Sequence, residues 1–364
     1  PRRTAATVTA LALGLMLVSF TAVVATSVKA SIQLTYRESI TADYVVESAR
    51  NEMLGGLPES VHHHIATLTE VAVASRLRYG HWKDGQHTRA LTAVDPVTLP
   101  RVTSLRMRAG SLDGLRTGGV VLAERVAAQR GLSVGDTLAM TFSRTGDQLL
   151  TVVGLLRDRD AQALSTDYIV GLDTYARNYA EDVDASIFVR LAAGVGTVDA
   201  RRAIEAAIAE APTAQVRDQA AAVAGRSQTI ERILGLVTAL LLVSIVIALL
   251  GITNTLALSI VERTRQIGLL RAVGMTRGQL RTMVVGEAVL VSGIATVVGV
   301  GTGVALGAGT ARILGAAAEA PVVLPGVQLA LVAVIAVGAG LLAGMLPARR
   351  AARLDLLTAV NHAG

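Results

Sequence analysis

Four long apolar runs, arginines gathered at their ends, and a polar stretch of about 200 residues after the first run predict the fold class. The protein reads as membrane α-helical, with four transmembrane helices and an α+β extracytoplasmic domain inserted between helices 1 and 2. A helix needs about 20 apolar residues to cross a hydrocarbon core of about 30 Å. Ala5–Val28 carries no charge, and Ile233–Val261 is polar only at scattered Thr, Ser and Asn residues. Met283–Ala311 is apolar apart from Glu287 and a few hydroxyls, and Val327–Leu346 has Gln328 as its one strongly polar side chain. Within lipid, backbone groups must be satisfied internally, so each run is expected to be helical.

Composition agrees with this reading. Of 364 residues 52% are hydrophobic and 17% charged, against about 25% charged in soluble domains. Gly numbers 35 and Pro 8, which excludes a collagen-like or disordered chain. The chain has no Cys, so disulfides, thiolate metal sites and Cys nucleophiles are excluded.

The net charge of +6 suggests nucleic acid until it is located. Ten arginines flank the apolar runs: Arg2 and Arg3, then Arg263, Arg265, Arg271, Arg277 and Arg281, then Arg349, Arg350 and Arg353. Only Glu262 and Asp355 share those segments, so the rest of the chain nets −2. No nucleic-acid partner is expected, and membrane lipid is. Short basic loops stay in the cytoplasm. The expected location is therefore the cell membrane, multi-pass, with both ends and residues 262–282 inside. Residues 29–232 and the short loop Arg312–Gly326 lie outside. The first run also resembles a signal peptide ending at Val28-Lys29-Ala30. Its 24 residues exceed the apolar core of about 7–15 that such peptides carry.

The expected domains are helix 1 over 1–30, the outer domain over 31–218, a stalk over 219–232, and a membrane domain over 233–364. In the outer domain, strands are predicted at 42–47, 71–77, 87–94, 186–191 and 215–219. Helices are predicted from Pro58 to about Leu68 and from Thr197 to Pro212. The order is β-α-β-β … β-α-β, a split βαβ layout. An insertion over about 98–182 is expected to hold a helix at Val120–Arg130 capped by Gly131, then strands at 137–142 and 149–155.

Candidate chemistry is sparse. His62-His63-His64 point about 100° apart on a helix and lack the acidic or Cys partners of a metal site, so no metal is expected. Gly299, Gly303 and Gly307, four apart inside an apolar run, form a small-residue stripe for helix packing and not a phosphate loop. Glu287, one turn into the third run, reads either as a coupling and packing residue or as an interface anchor. Asn254, in Thr253-Asn254-Thr255, reads as an interhelical hydrogen-bonding residue. No nucleophile, acid pair or Walker motif is assembled, so catalytic residues are not expected.

The most informative stretch is Glu262-Arg263-Thr264-Arg265-Gln266-Ile267-Gly268-Leu269-Leu270-Arg271-Ala272-Val273-Gly274-Met275-Thr276-Arg277. It is basic, yet Ile267 and Leu270 share a helical face, a pattern that suits anionic lipid or a partner's groove. With Gly251-Ile252-Thr253-Asn254-Thr255 before it, it closely resembles the signature of FtsX-like (MacB-like) permeases of bacterial ABC transporters. The tail Leu346-Pro347-Ala348-Arg349-Arg350 resembles the same family's C-terminus, and Gly131-Leu132-Ser133-Val134-Gly135-Asp136 extends the likeness weakly to the outer domain. The start at Pro1-Arg2-Arg3-Thr4 resembles the second half of duplicated permeases, so this chain is expected to be one repeat of such a protein.

The resemblance implies a coupling helix within 262–282 that contacts a separate cytoplasmic ABC ATPase. Glu262, Arg263, Ile267, Gly268, Leu270, Arg271, Ala272 and Gly274 would form or brace that contact. The family usually has Glu where this chain has Gln266. The resemblance further implies no cofactor on this chain, with ATP and Mg bound by the ATPase, and a second permease half or homodimer partner. The implied function is export or extraction of lipoprotein, lipid, peptide or drug. The alternative is a mechanical transmitter that moves no substrate and activates an extracytoplasmic cell-wall hydrolase.

Overall fold

The first apolar run, with one Gly and no Pro to interrupt it, continues into a single helix, α1 (Arg2–Ser39). The computed structural model describes residues 2–48, 56–222, 273–315 and 321–352, together with 224–225, 235–236, 239, 243, 246, 250–251, 253–254, 258 and 269. The chain divides into two compact units. One is Pro1–Ala30 with Thr229–Ala316 and Ala320–Gly364, and the other is Ser31–Gln228 with Ala317–Glu319.

In chain order the second unit holds β1 (Tyr44–Ser48), β2 (Leu57–Pro58), α2 (Glu59–Ala66), β3 (Val71–Asp84), β4 (His87–Val94), α3 (Leu99–Val102) and β5 (Met107–Gly110). A 3-10 turn (Leu112–Thr117) leads to β6 (Val120–Ala123), α4 (Glu124–Arg130), β7 (Thr137–Phe142), β8 (Gly146–Leu156), α5 (Asp158–Ala163) and β9 (Tyr168–Gly171). It ends with α6 (Leu172–Asn178), β10 (Val183–Asp184), β11 (Ser186–Leu191), α7 (Thr197–Ala207) and β12 (Ala214–Asp218).

Strands β12, β1, β11 and β3 pair antiparallel in that order. Helices α2 and α7 cover one face, packing Val61, Ile65, Ile204 and Ile208 on Tyr44, Val46, Ile187 and Val189. Val45 and Phe188 point to the other face and join a second core. Both faces are thus covered, which is why β1 is buried along its whole length.

Strand β3 belongs to two parts of the sheet. Val71–Leu77 pairs with β11, and Leu77–Asp84 pairs with β4. From there the pairing runs β4–β9–β6–β8–β7 and returns to β3 through Lys83 and Thr141. The result is a closed ring of six strands around Leu91, Val120, Met140, Val152 and Val170. Closure leaves these strands few free edges. The ring begins at Leu77, before residue 98.

The crossing is held by a buried ion pair. The Arg78 Nε–H donates to Asp184 Oδ1 at 2.7 Å, and the guanidinium also meets Asp182 and lies 5.9 Å from the Tyr175 ring. Burial pushes the Asp184 carboxyl up, against the pull of Arg78. Leaving either charge buried without the other would cost about 3–5 kcal/mol.

The sequence predicts a helix over Val120–Arg130, but the structure starts that helix only at Glu124. Val120–Ala123 is instead a strand between β8 and β9, buried on both sides. A short apolar run buried on both faces has no alternation to distinguish it from a helix. Gly131 caps α4 in the left-handed region, φ 64°. In the predicted triple-His helix, His62 Nε2 lies 3.3 Å from the Ala74 carbonyl oxygen, while His63 and His64 are exposed.

The first unit also holds α8 (Arg277–Gly315) and α9 (Gly326–Ala352). Among the described residues two helices are long and apolar enough to cross a membrane, Val8–Ser39 and Gly278–Ile313; Gly326–Leu342 is apolar but shorter. Residues 233–261, expected as the second span, lie mostly outside the described residues.

Trp82, the single tryptophan, is buried against Tyr168 with ring centroids 4.9 Å apart, and Arg130 covers both rings. Arg130 also grips Asp84, and its hydrogen bond holds that carboxyl below its ordinary 3.8. A folded value below the unfolded one gives stability that is complete above the unfolded value and is lost as pH falls through the folded one. Denaturation of the full chain, followed by Trp82 emission, should therefore need less denaturant only below about pH 4. Asp84→Asn should flatten that acid limb; an unchanged limb would refute the assignment.

Candidate functional site

Three glycines that the sequence spaces four apart lie against α1. A Cβ at Gly299 would stand 2.5 Å from the Ala12 carbonyl oxygen, and one at Gly307 would stand 2.9 Å from Val23 Cβ. Gly303, between them, faces Met16 and Ser19. The contact advances by four residues on both helices, through Ala12, Met16 and Phe20 on α1. Such spacing keeps one face of each helix together, since residues four apart are stacked neighbours. It also fixes direction: α1 and α8 run parallel.

The seam with α9 runs the other way. Gly340 meets Ser292, and Gly344 faces Ala288. Leu11, Leu15, Ala288, Ala295 and Ala336 fill the space among the three helices. At one end Ser27 Oγ accepts a hydrogen bond from the Val323 N–H at 3.0 Å. The parallel and antiparallel runs therefore put the Arg2–Arg3, Arg277–Arg281 and Arg349–Arg350 ends on the same side of this unit. Glu287, beside Ala288, is half-buried.

At the entry to α8 the Val273 N–H donates to the Leu269 carbonyl at 3.1 Å. Gly274 follows at φ +114°, a conformation that side chains rarely tolerate. Thr276 then caps α8: the Gln279 N–H donates to Thr276 Oγ1 at 3.2 Å, and the Thr276 N–H donates to Gln279 Oε1 at 2.9 Å. This is a reciprocal capping box. Met275 packs on Leu280 and Val284 beneath it and fixes the angle of entry.

Of the expected coupling residues, Gly274 is at this turn; Glu262, Arg263, Ile267, Gly268, Leu270, Arg271 and Ala272 lie outside the described residues. Leu269 and Val273, not singled out from sequence, are 69% and 83% exposed one turn apart. Asn254 is also exposed. The Thr-x-x-Gln signature of the cap was present in the sequence, inside a segment dominated by its arginines.

The family profile described as MacB-like periplasmic core domain matches residues 4–207. The profile described as FtsX-like permease C-terminal matches residues 238–356. Macrolide export ATP-binding/permease protein MacB of Hyphomonas neptunium is 32% identical over 146 residues, covering 40% of this chain and 22% of the relative. An uncharacterised ABC transporter permease protein, Rv0987 of Mycobacterium tuberculosis, is 25% identical over 255 residues, covering 67% of this chain and 29% of the relative. The chain thus spans less than a third of either protein's length. The periplasmic region of MacB from Actinobacillus actinomycetemcomitans aligns at a TM-score of 0.38 and 15% identity, covering 53% of this chain and 94% of that one.

Two substitutions test the seam and the cap. Gly303→Leu should force α8 off α1 and lower stability in detergent by about 1–3 kcal/mol, whereas Gly301→Leu, with no described atom within 4 Å, should cost less. Equal losses would contradict the seam. Thr276→Ala should remove about 1 kcal/mol of capping and speed hydrogen exchange at the first amides of α8 about fivefold. Unchanged exchange there would show that the cap does not hold the helix start.

Proposed function

Because the chain belongs to the FtsX/MacB-like family of ABC permeases, a family of membrane proteins with an extracytoplasmic domain, we propose that it is the permease part of an ATP-driven transporter whose ATPase is supplied by another chain. The observation that carries this reading is the joint match of the outer-domain profile and the permease profile along one sequence. The macrolide relative has ATP-binding and permease functions in one name, and the mycobacterial relative is named as a permease alone.

Residues 262–282 are the cytoplasmic contact for the ATPase. The exposed Leu269 and Val273 support this, because an apolar pair presented beside basic residues suits a partner's groove. The common placement of the three arginine-bearing helix ends supports a cytoplasmic side for this segment. ATP and Mg act in the ATPase, and its motion enters through the elbow at Gly274–Thr276. The capping box makes the start of α8 stiff, so displacement of the elbow is passed to α8 and through the glycine seam to α1. The outer domain then works on cargo: lipoprotein, lipid, peptide or drug. A second permease half completes the assembly.

Leu269→Glu places a charge in the docking face while leaving the helix seam untouched. The purified variant should fold as wild type yet co-purify with less than about a tenth of the ATPase, the loss expected for a buried unpaired charge. Co-purification at wild-type level with an active ATPase would defeat the coupling assignment. Cargo-stimulated ATP hydrolysis in liposomes should also be seen; capture of a cell-wall hydrolase without any such stimulation would favour the mechanical alternative.

A further inference from the structure

A cleft of about 470 Å³ opens on the strand ring, beside the Arg130 and Tyr168 side chains that pack on Trp82. One wall is the part of α4 that carries Arg125 and Gln129, four apart and so on one face, with Arg130 next to Gln129. The rest of the lining comes from Gln162 at the end of α5, from Ser165, Thr166 and Asp167 in the loop after it, and from Thr88 and Arg89 of β4. Ser165, in that loop, has φ +65°, the one non-glycine positive φ among the described residues. Backbone held in this region costs energy and concentrates at ligand sites. The strained turn is pinned from beneath, where the Thr92 hydroxyl donates to the Leu164 carbonyl at 2.8 Å and lies 2.7 Å from the Thr166 hydroxyl. The turn thus presents Ser165 and Asp167 to the cleft.

The charge is uneven. Three guanidinium groups, Arg89, Arg125 and Arg130, stand against the carboxylates of Asp84 and Asp167, leaving one positive charge in excess. Arg130 is fixed by Asp84 and by the rings of Trp82 and Tyr168. Arg125 is different. It shares Asp167 at 3.0 Å, but the two side chains are 46% and 38% exposed, so the pair is worth little and is open to exchange. The apolar part of the lining is Ala90, Val126 and the Tyr168 ring, the last two buried.

We propose that this cleft binds an anionic saccharide unit. The anion is taken by Arg125 with Arg89, whose planar forks suit carboxylate and phosphate alike. Sugar hydroxyls are taken by Asp167, Gln129 and Ser165, which supply donors and acceptors but no apolar pocket. The site is independent of the ATPase reading, which stands or falls on residues 262–282.

The test titrates the full chain in detergent by calorimetry with glucuronate, glucose 6-phosphate, glucose and inorganic phosphate. Glucuronate or glucose 6-phosphate should bind with a Kd of about 1 mM or tighter, and which of them is preferred separates a carboxylate from a phosphate source. Arg125→Gln should weaken that binding roughly tenfold, whereas Arg201→Gln, on exposed α7, should not. Because Arg125 is largely exposed, its loss should leave the Trp82-monitored unfolding unchanged. Failure of both charged sugars to bind, equal affinity for inorganic phosphate alone, or unaltered binding by Arg125→Gln would each overturn the proposal.

Discussion

The close approach of α1 and α8 along Gly299, Gly303 and Gly307 is the constraint on which the membrane unit depends. Within lipid the surrounding tails are as apolar as the side chains, so burial alone does not hold helices together. Contact area must come from backbone meeting backbone, and only residues without a bulky Cβ allow it. The same seam sets direction. Because the contact steps forward by four on both helices, it forces a parallel pair, and Gly340 and Gly344 set α9 against it in the opposite sense. Three arginine-bearing ends then share one side without any need for the charges to attract one another.

The outer domain is organised by a different device, one strand used twice. The first half of β3 completes a four-stranded sheet under two helices, and its second half begins the closed ring. Arg78 sits where the strand changes partners and is tied to Asp184 and Asp182, beside the return of the chain into β11. A buried pair of this kind adds little net stability, because desolvation offsets its attraction. Its effect is to fix geometry, since neither member is tolerated without the other.

Much of this was legible in the sequence, for identifiable reasons. The sequence predicts His87–Val94, Thr137–Phe142 and Ser186–Leu191 as strands with their observed bounds, because turn residues or charged residues delimit them. It does not predict Val120–Ala123 as one, because a strand covered on both faces shows no period. Ring closure was also invisible. It depends on Lys83 meeting Thr141 and on the parallel pairing of β4 with β9, contacts between residues far apart in the chain. The spacing of the three glycines is plain in the sequence, yet nothing local says that α1 is what they face. The cap at Thr276 carried a local signature that the surrounding arginines obscured, and the exposure of Leu269 and Val273 is a property of the folded surface alone.

An elbow that receives force from a cytoplasmic ATPase must lie on the cytoplasmic side of the membrane. The chain has no cysteine, so a single introduced thiol reports its own location without a background. Gln266→Cys and Val198→Cys should be treated in intact cells with a membrane-impermeant maleimide. Val198 lies exposed on α7 of the outer domain. The account predicts labelling of the thiol at 198 in intact cells, and of the thiol at 266 only after the membrane is opened. Labelling of position 266 in intact cells, or protection of position 198, would contradict it.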